Sequence, residues 1–315
     1  MKQPSPSLRQ PRMSILGRGQ RRRGAALMLS LWALFLLSAM VMSWALDINS
    51  RFTLSGTANR ALQAEALACS GSEIALHPSV QPGSTVLKGR PAPNQSYEAN
   101  ISGEGGRLNV NWLVAGEDPE RLEVLRKYLE NKGVDLNERD RMIDSLLDWV
   151  EPNTGLHHLN GAGESENYHP AHTLLTRIDD LKKVAGWQDF TSTPGWDNEL
   201  TLNSTGPVDL LWAPRDVLLA LPGMSDGRVD QFLTLRRGPD GIDGTADDAQ
   251  LGKEETVAAL GFTPEQFQEL SGLVNFNDPV VRVVSVGKSG NVTRVVQMVI
   301  RKVGGRTQLI TWKEQ

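Results

Sequence analysis

The chain has 315 residues, 39% of them hydrophobic and 22% charged, which is ordinary for a globular protein of about two domains. Its single cysteine, Cys69, excludes an internal disulfide. The formal net charge is −4, but residues 1–24 hold seven basic and no acidic residues, which leaves −11 for the rest of the chain. Because duplex binding depends on neutralising phosphates, this acidic remainder argues against a general affinity for nucleic acid.

The N-terminal segment has the pattern of a membrane anchor. Ala25–Leu46 carries no charge, and a helix of that length spans about 33 Å, close to the ~30 Å hydrocarbon core. A secretory signal has its cleavage site after the apolar stretch, whereas here a small residue, Gly24, precedes it. We therefore predict that residues 1–24 are a basic leader peptide that is removed, and that residues 25–46 remain as a transmembrane helix. An uncut signal anchor is the alternative.

The helical pattern continues beyond the anchor and becomes amphipathic. Ala58, Leu62, Ala66 and Cys69 recur at steps of four, four and three, which predicts one apolar face. A proline follows His77, so the helix is expected to end there.

Two strands are predicted before the middle of the chain. Residues 79–95 are rich in Pro, Gly and Ser and are predicted to form a loop. Residues 96–101 and 107–114 have strand patterns, the second because Leu108, Val110, Trp112 and Val114 alternate with other residues. Gly103–Gly106 is predicted to be the turn between them.

From residue 118 to 278 the pattern is helical, and after it strands return. The clearest helix has an apolar face of Met142, Ile143, Leu146, Leu147 and Val150. A helix carrying three leucines precedes it, beginning near residue 118. Further helices are predicted at 174–185, 214–221, 226–237, 253–259 and 264–270. The segments rich in Val and Ile at the end predict a three-stranded meander at 280–287, 292–302 and 306–312.

These elements predict an α+β protein in which one sheet contains strands from both ends of the chain. Residues 47–117 and 279–315 would form the helix and sheet, and residues 118–278 an inserted helical domain. This is the simplest arrangement because it joins all strands in one antiparallel sheet packed on the N-terminal helix.

Several motifs resemble one known family. Arg23-Gly24 before an uncharged helix is similar to the processing site of type IV pilin-like precursors, in which a prepilin peptidase cuts after the glycine. Leu147–Glu151 resembles the Asp-Trp helix end of the K-type minor pseudopilins of the type II (general) secretion system. Gly161–Tyr168 is similar to their Gly-Gly-Ala-Glu-Asp-Asp-Tyr loop, with the Asp pair altered, and Asn203–Thr205 before Pro214–Gly223 to their Leu-Pro-Gly hairpin.

The resemblance implies a type IV pilin-like fold, a long N-terminal helix packed on an antiparallel sheet, with a large inserted all-helical domain. It implies that Gly24 and Ala25 form the cleaved pair and that Ala25 is then methylated. The chain would not be an enzyme. It would lie in the bacterial inner membrane with its N-terminus cytoplasmic and its C-terminal domain periplasmic. The implied partners are other minor pseudopilins in a tip complex, the major pseudopilin, the prepilin peptidase, the inner-membrane secretion platform and inner-membrane lipid.

Leu29 would be the fifth residue of the mature chain. Major pilins carry a glutamate there, which is thought to pair with the N-terminal amine of the neighbouring subunit already in the fibre. A subunit with nothing above it meets no such amine, and a carboxylate in hydrocarbon is costly without a partner. Leu29 therefore favours a position at the fibre tip, and a bulky insertion agrees because it would clash with subunits stacked above it.

An acidic loop is the best candidate for a metal site. Asp240, Asp243, Asp247 and Asp248 lie among glycines, and Ca²⁺ binds six to eight oxygens in irregular geometry. The spacing is not that of an EF-hand, because no glutamate occupies the twelfth loop position. We predict calcium here, with a solvated acidic turn as the alternative.

A weaker acidic cluster consists of Glu151, Glu164 and Glu166. The family resemblance also implies calcium in the helical domain.

Two further motifs define rival functions. His157, His158, His169 and His172 lie close together, but no cysteine or helix-borne histidine pair supports a zinc site, so loop histidines are the simpler interpretation. The corresponding rival is a signal-anchored periplasmic metal-binding enzyme or binding protein.

The second rival rests on residues 221–237, which resemble a helix-hairpin-helix and carry Arg228, Arg236 and Arg237. It is a minor type IV pilin in DNA uptake. The acidic surroundings favour a helix-packing corner instead, and no nucleic acid partner is expected.

Overall fold

The structure is a computed structural model that describes residues 19–153, 155, 157–304 and 306–314, with side chains from residue 24 onward. Most of the predicted leader, residues 1–18, therefore lies outside the described residues. The chain divides into two compact units, Met1–Asn59 and Arg60–Gln315. The predicted domain boundaries at residues 46, 117 and 278 stay predictions.

The described residues form nine α-helices and nine strands. The helices are α1 (Gly19–Leu76), α2 (Val110–Val114), α3 (Pro119–Asn131), α4 (Leu136–Val150), α5 (Gln188–Ser192), α6 (Arg215–Leu219), α7 (Asp226–Arg236), α8 (Lys253–Ala259) and α9 (Pro264–Glu269). The strands are β1 (Lys88–Ala92), β2 (Gln95–Gly103), β3 (Leu108–Asn109), β4 (Leu200–Thr201), β5 (Val208–Asp209), β6 (Val274–Asn275), β7 (Val280–Ser289), β8 (Val292–Val303) and β9 (Arg306–Glu314).

Helix α1 contains the predicted anchor and ends one residue before the predicted end. Its segment from Gly24 onward is the one helix in the described part of the chain that is long and apolar enough to cross a membrane. Large apolar side chains from Leu27 to Leu46 are exposed, which suits contact with lipid rather than with a protein core.

The part of α1 in the second unit packs on the sheet through small residues. Ala64, Ala68 and Ala75 are fully buried, whereas Leu62 is 64% exposed, so the apolar face predicted through Ala58, Leu62, Ala66 and Cys69 is wrong. The reason is the closeness of helix and strand: a Cβ atom at Gly287 of β7 would lie 1.9 Å from the Ala64 carbonyl oxygen. Only small side chains are compatible with this approach, and larger residues are turned outward.

Five strands make one antiparallel sheet in the order β1-β2-β7-β8-β9. The predicted meander at the chain end is confirmed in β7, β8 and β9. The predicted strand at 96–101 is confirmed in β2. Two sheet strands thus precede the helical region and three follow it, as expected. The first of them is β1, whereas the sequence predicted a strand at 107–114.

The predicted strand at 107–114 is wrong. Only Leu108–Asn109 is extended, and Asn109 then caps α2 by accepting a hydrogen bond from the Trp112 backbone N–H at 3.1 Å. Leu113, between the alternating positions, is fully buried, so the burial follows a helical spacing instead.

The missing strand is β1, in the segment predicted as a loop. It contains Gly89 and Pro91, which is tolerated because β1 is an edge strand. Tyr97 of β2 lies over Gly89, where a Cβ atom would meet the ring at 2.3 Å.

The middle of the chain is helical, as predicted, and several helix starts follow local rules. The Asp118 and Asp135 side chains cap α3 and α4 by accepting backbone N–H groups. The predicted helix at 174–185 is reduced to a 3-10 helix at Ile178–Lys183, and α5 was not predicted. A large apolar cluster fills this region, with Tyr128, Trp187 and Phe232 at its centre, and a second, smaller cluster joins α1 to the sheet.

A buried glutamate connects the sheet to the helical region. Glu104, fully buried after β2, accepts hydrogen bonds from Arg282 Nε at 2.7 Å and Nη2 at 2.8 Å and from Arg107 Nη1 at 3.1 Å. Thr201 of β4 also donates its hydroxyl to Glu104. Strand β7 and the helical region are therefore joined through one carboxylate.

A second buried carboxylate lies at the return to the sheet. Asp209 accepts the backbone N–H of Asp278 at 2.9 Å and that of Leu211 at 3.0 Å. Burial raises the pKa of Asp209 to about 6, although these N–H groups favour the ionised form.

Replacing Glu104 by leucine should lower the free energy of unfolding by about 3–5 kcal/mol, because Arg107 and Arg282 would remain mostly buried without their carboxylate. Urea unfolding of the full chain in non-ionic detergent measures this. The control is Glu98→Gln, which removes the exposed pair with Lys88 and should cost less than about 1 kcal/mol. Equal effects of the two changes would contradict the account.

Candidate functional site

The predicted cleavage pair lies within a continuous helix. Gly24 and Ala25 are exposed residues of α1, and a Cβ atom at Gly24 would have nothing within 4 Å outside the helix itself. Leu29 lies one turn further on and is 70% exposed. These three residues are therefore open to a peptidase or to a neighbouring helix.

The acidic loop brings three of its four predicted ligands together. Asp240, Asp247 and Asp248 each place one carboxylate oxygen within 4.8 Å of the other two. Thr245 donates its hydroxyl to Asp247 Oδ1 at 2.8 Å, and the Asp240 backbone N–H donates to Asp247 Oδ2 at 3.1 Å. The hydrogen bond from the Thr245 hydroxyl has the larger effect and that from the Asp240 backbone the smaller; together they lower the pKa of Asp247 and keep its carboxylate ionised. This donor set of ionised oxygens suits Ca²⁺.

The fourth predicted ligand, Asp243, has another role. It accepts hydrogen bonds from Arg236 Nε and from Arg237 Nε, both at 3.0 Å. Arg236 is almost fully buried and also donates to the carbonyl oxygens of Leu210 and Ala213. The Asp243 carboxylate thus balances buried positive charge, and it does not lie in the cluster of the other three.

The second acidic set is not gathered into one group. Glu164 Oε1 lies 2.9 Å from His172 Nε2, whereas Glu151 Oε1 accepts the backbone N–H of Asn153 at 2.9 Å. Glu166 is an exposed residue of the same loop. Within the described residues, the acidic loop holds the only group of three or more His, Cys, Asp or Glu side chains whose ligand atoms all lie within 4.8 Å of one another.

Three of the four loop histidines contact carboxylates. His158 Nδ1 lies 2.7 Å from Asp148 Oδ1, and His158 Nε2 lies 3.4 Å from Glu117 Oε2. Burial disfavours the charged ring, but the bonds to Asp148 and Glu117 outweigh it and raise the pKa of His158. His157 Nδ1 is 4.0 Å from the buried Asp148 Oδ2. Asp148 is therefore the centre of this cluster.

Sequence reasoning did not select Asp148 or Glu117 as site residues. The available signal was the spacing of Asp140, Asp144 and Asp148 on one face of α4, opposite its apolar face. Asp144 Oδ2 accepts the Asn160 backbone N–H at 3.0 Å. Asp144 and Asp148 of α4 therefore both bind the loop that contains His158 and Asn160.

The arginines of the hairpin at 221–237 are engaged within the protein. Arg236 and Arg237 pair with Asp243, and Arg228 stacks on Phe262 at 4.3 Å while donating to the Gly223 carbonyl oxygen at 2.7 Å. The corner therefore packs helices together, and its arginines do not form an open phosphate site.

His158 should make stability depend on pH in a defined direction. The pKa of His158 is higher in the folded protein than in the unfolded chain, where it is about 6.5. Its contribution to stability is therefore full below the pKa of the unfolded chain and is lost as pH rises through the pKa of the folded protein. The melting temperature of the wild type minus that of His158→Gln should therefore fall between pH 6 and pH 8.5. The control is the exposed loop histidine variant His169→Gln, and an equal pH dependence in both variants would contradict the assignment.

Comparison with known proteins gives a match to a family and matches to solved structures. Residues 106–191 match the family described as type II secretion system (T2SS), protein K. The fold is similar to a chain in the crystal structure of the GspK–GspI–GspJ complex from the enterotoxigenic Escherichia coli type 2 secretion system. That match has a TM-score of 0.56 and 13% identity, and it covers 85% of this chain and 99% of the other. No curated protein matches the sequence.

The fold match confirms the predicted α+β architecture, a pilin-like long helix and antiparallel sheet with a helical insertion. The family match contains both Leu147–Glu151 and Gly161–Tyr168, on which the resemblance was based. The segment match and the shared fold therefore confirm the resemblance to the K-type (GspK) proteins of the type II secretion system.

Proposed function

We propose that this protein is a minor pseudopilin that caps and initiates the periplasmic pseudopilus of the type II secretion system. The observation that carries the capping role is Leu29, an apolar residue at the fifth position of the proposed mature chain. A subunit without a carboxylate there has no group to pair with the N-terminal amine of a subunit already in the fibre. Such a subunit is suited to the tip, where no other subunit lies above it. Its work is assembly rather than catalysis.

The proposed precursor is cut by the prepilin peptidase after Gly24, and Ala25 is then methylated. The apolar part of α1 would hold the protein in inner-membrane lipid with the basic leader on the cytoplasmic side. The second unit, which begins at Arg60, would lie in the periplasm. The exposure of Gly24 and Ala25 in α1 supports access by the peptidase.

The proposed partners are other minor pseudopilins, with the major pseudopilin below them and the inner-membrane platform at the base. The matched structure is a complex of GspK with GspI and GspJ, which supports partners of this kind. Leu62 on α1 and Leu309 and Trp312 on the edge strand β9 are exposed apolar residues. Glu65 of α1 and Glu314 of β9 line one shallow groove with Val296. This side of the unit supports docking of another subunit.

We propose calcium as a structural ion of the acidic loop. Asp240, Asp247 and Asp248 would hold it, and backbone carbonyls or water would complete the oxygen shell. The ion would offset the repulsion among three carboxylates. Because a Cβ atom at Gly83 would lie 2.4 Å from the Ala246 backbone nitrogen, this loop packs tightly on the turn before β1, and calcium would stabilise that contact.

Neither rival function gains a supporting observation. DNA uptake through the hairpin would need Arg236 and Arg237 free, but both pair with Asp243. A metal-binding enzyme would need the loop histidines to converge, but His158 and His172 contact different carboxylates.

Calcium binding should raise the melting temperature of the full chain by a few degrees relative to the same protein in chelator, because the ion binds the folded loop only. Asp247→Asn combined with Asp248→Asn should remove most of that rise. The control is Asp189→Asn, outside the loop. The calcium proposal fails if the double variant responds to Ca²⁺ as the wild type does.

Changing Leu29 to glutamate should impair the capping role. The new carboxylate would have no amine partner at the tip, and an unpaired one costs roughly 3 kcal/mol at the membrane centre and less near its surface. In cells that lack the chromosomal copy, Leu29→Glu should restore less secretion and recover fewer other minor pseudopilins on purification than the wild type. The matched control, Leu29→Met, should behave as the wild type.

If Leu29→Glu restores full secretion, position 29 does not determine tip status. If the purified wild-type chain carries no other minor pseudopilin, the assembly role itself is contradicted.

A further inference from the structure

The sheet has a second face, turned away from α1, that carries a basic groove. Gly287 and Ser285 of β7 face α1, as their close approach to Ala64 and Gly71 shows. Neighbouring residues on a strand point to opposite sides, so Val284, Val286 and Lys288 face the other way. With β1 and β2 they line a groove of about 650 Å³, here named the basic sheet groove; its lining residues include Lys88, Arg90, Glu98, Asn100, Val284, Val286 and Lys288.

The charge of the basic sheet groove is opposite to that of the protein as a whole. Lys88, Arg90 and Lys288 are exposed cations. Glu98 is the one carboxylate among the described residues that line the groove, and it lies 2.8 Å from Lys88. Arg90 and Lys288 therefore supply positive charge in excess, although residues 25–315 together carry −11. Such a local reversal of sign attracts an acidic partner.

An acidic loop lies beside the groove but does not line it. The loop around Gly244 borders the groove at Asn100, where a Cβ atom on the glycine would lie 3.4 Å from the amide oxygen. The loop residue beside it, Asp243, is paired with Arg236 and Arg237. The charge of Asp243 is therefore balanced within the protein, and Asp240, Asp247 and Asp248 of the same loop do not line the groove.

The floor of the groove contains two valines beside polar residues, since Val286 lies opposite Glu98 and Val284 opposite Asn100 of β2. Val284 and Val286 are half-buried, and the strand register places Val286 beside Val295 of β8 and Val284 beside Gln297. Val286 and Val295 are directly opposite on one face and are in side-chain contact, and Val284 lies next to Val286 on the same face, so these three valines form a short apolar strip. A sheet face that met water alone would be expected to carry polar residues at these positions.

We propose that the basic sheet groove binds an acidic segment of a partner protein. Its carboxylates would pair with Arg90 and Lys288, and its apolar side chains would cover Val284 and Val286. Lipid phosphates or nucleic acid would use the cations but would leave the valine strip exposed, so a protein segment accounts for both features. This interface is additional to the proposed assembly role, which uses the α1 and β9 side of the sheet.

The test is binding of a fluorescent ten-residue peptide made of glutamate and valine to the full chain in non-ionic detergent, followed by anisotropy. The wild type should bind it, and should bind the peptide with lysine in place of each glutamate more weakly. Arg90→Glu with Lys288→Glu should weaken binding of the acidic peptide roughly tenfold. The control, Lys127→Glu with Lys253→Glu, changes the net charge equally on exposed helical positions and should not alter binding.

A milder variant, Arg90→Gln with Lys288→Gln, keeps the test valid if charge reversal prevents folding, and should weaken binding roughly threefold. The proposal is overturned if the acidic peptide does not bind, or if neither variant changes its affinity. It is also overturned if phosphatidylglycerol vesicles or a DNA duplex bind the groove and the peptide does not. None of these variants touches Gly24, Leu29 or α1, so such a failure would leave the assembly role standing.

Discussion

Glu104 holds the second unit together by placing one carboxylate between two largely buried arginines from different parts of the chain. Arg282 is on the sheet, Arg107 precedes the helical region, and Thr201 brings a third segment to the same carboxylate. A buried carboxylate is tolerated only when its oxygens are fully engaged, and this one accepts four hydrogen bonds. This contact joins the helical region to the sheet at its start, as Asp209 does at the return to the sheet.

The parts of the fold that were predictable are those with strong local signals. Strands β7, β8 and β9 are rich in valine and isoleucine and are separated by glycine turns, and α4 has a clear apolar face with Asp135 as its cap. The errors occur where tertiary contacts override the pattern. Strand β1 contains glycine and proline because it lies at a sheet edge under Tyr97, and residues 110–114 turn helical because Asn109 caps them.

The candidate sites show the same limit. The acidic loop was predicted from composition, and three of its aspartates do come together. The sequence did not distinguish Asp243 from the other three aspartates. Its role depends on its pairing with Arg236, which folding buries. The predicted apolar face of α1 was wrong for a related reason. The backbone of Gly287 lies so close to the helix that only small residues such as Ala64 and Ala68 fit on the side of α1 that faces it. The large residue Leu62 is consequently exposed.

Together with the family match, these features agree with the assembly role proposed for this protein. The anchor in α1 has no charge from Ala25 to Leu46, one side of the sheet packs on the helix, and the other carries the basic groove. The helical region is joined to the sheet through Glu104. The uncharged side chain of Leu29 supports the proposed position at the fibre tip.

The most direct test is the mass and N-terminal sequence of the protein from native membranes, with and without the prepilin peptidase. The account predicts a chain that begins at a methylated Ala25, and an intact leader when the peptidase is absent. A leader that remains in the presence of the peptidase, or a cut beyond the apolar segment, would contradict the pseudopilin assignment and favour an ordinary signal-anchored protein.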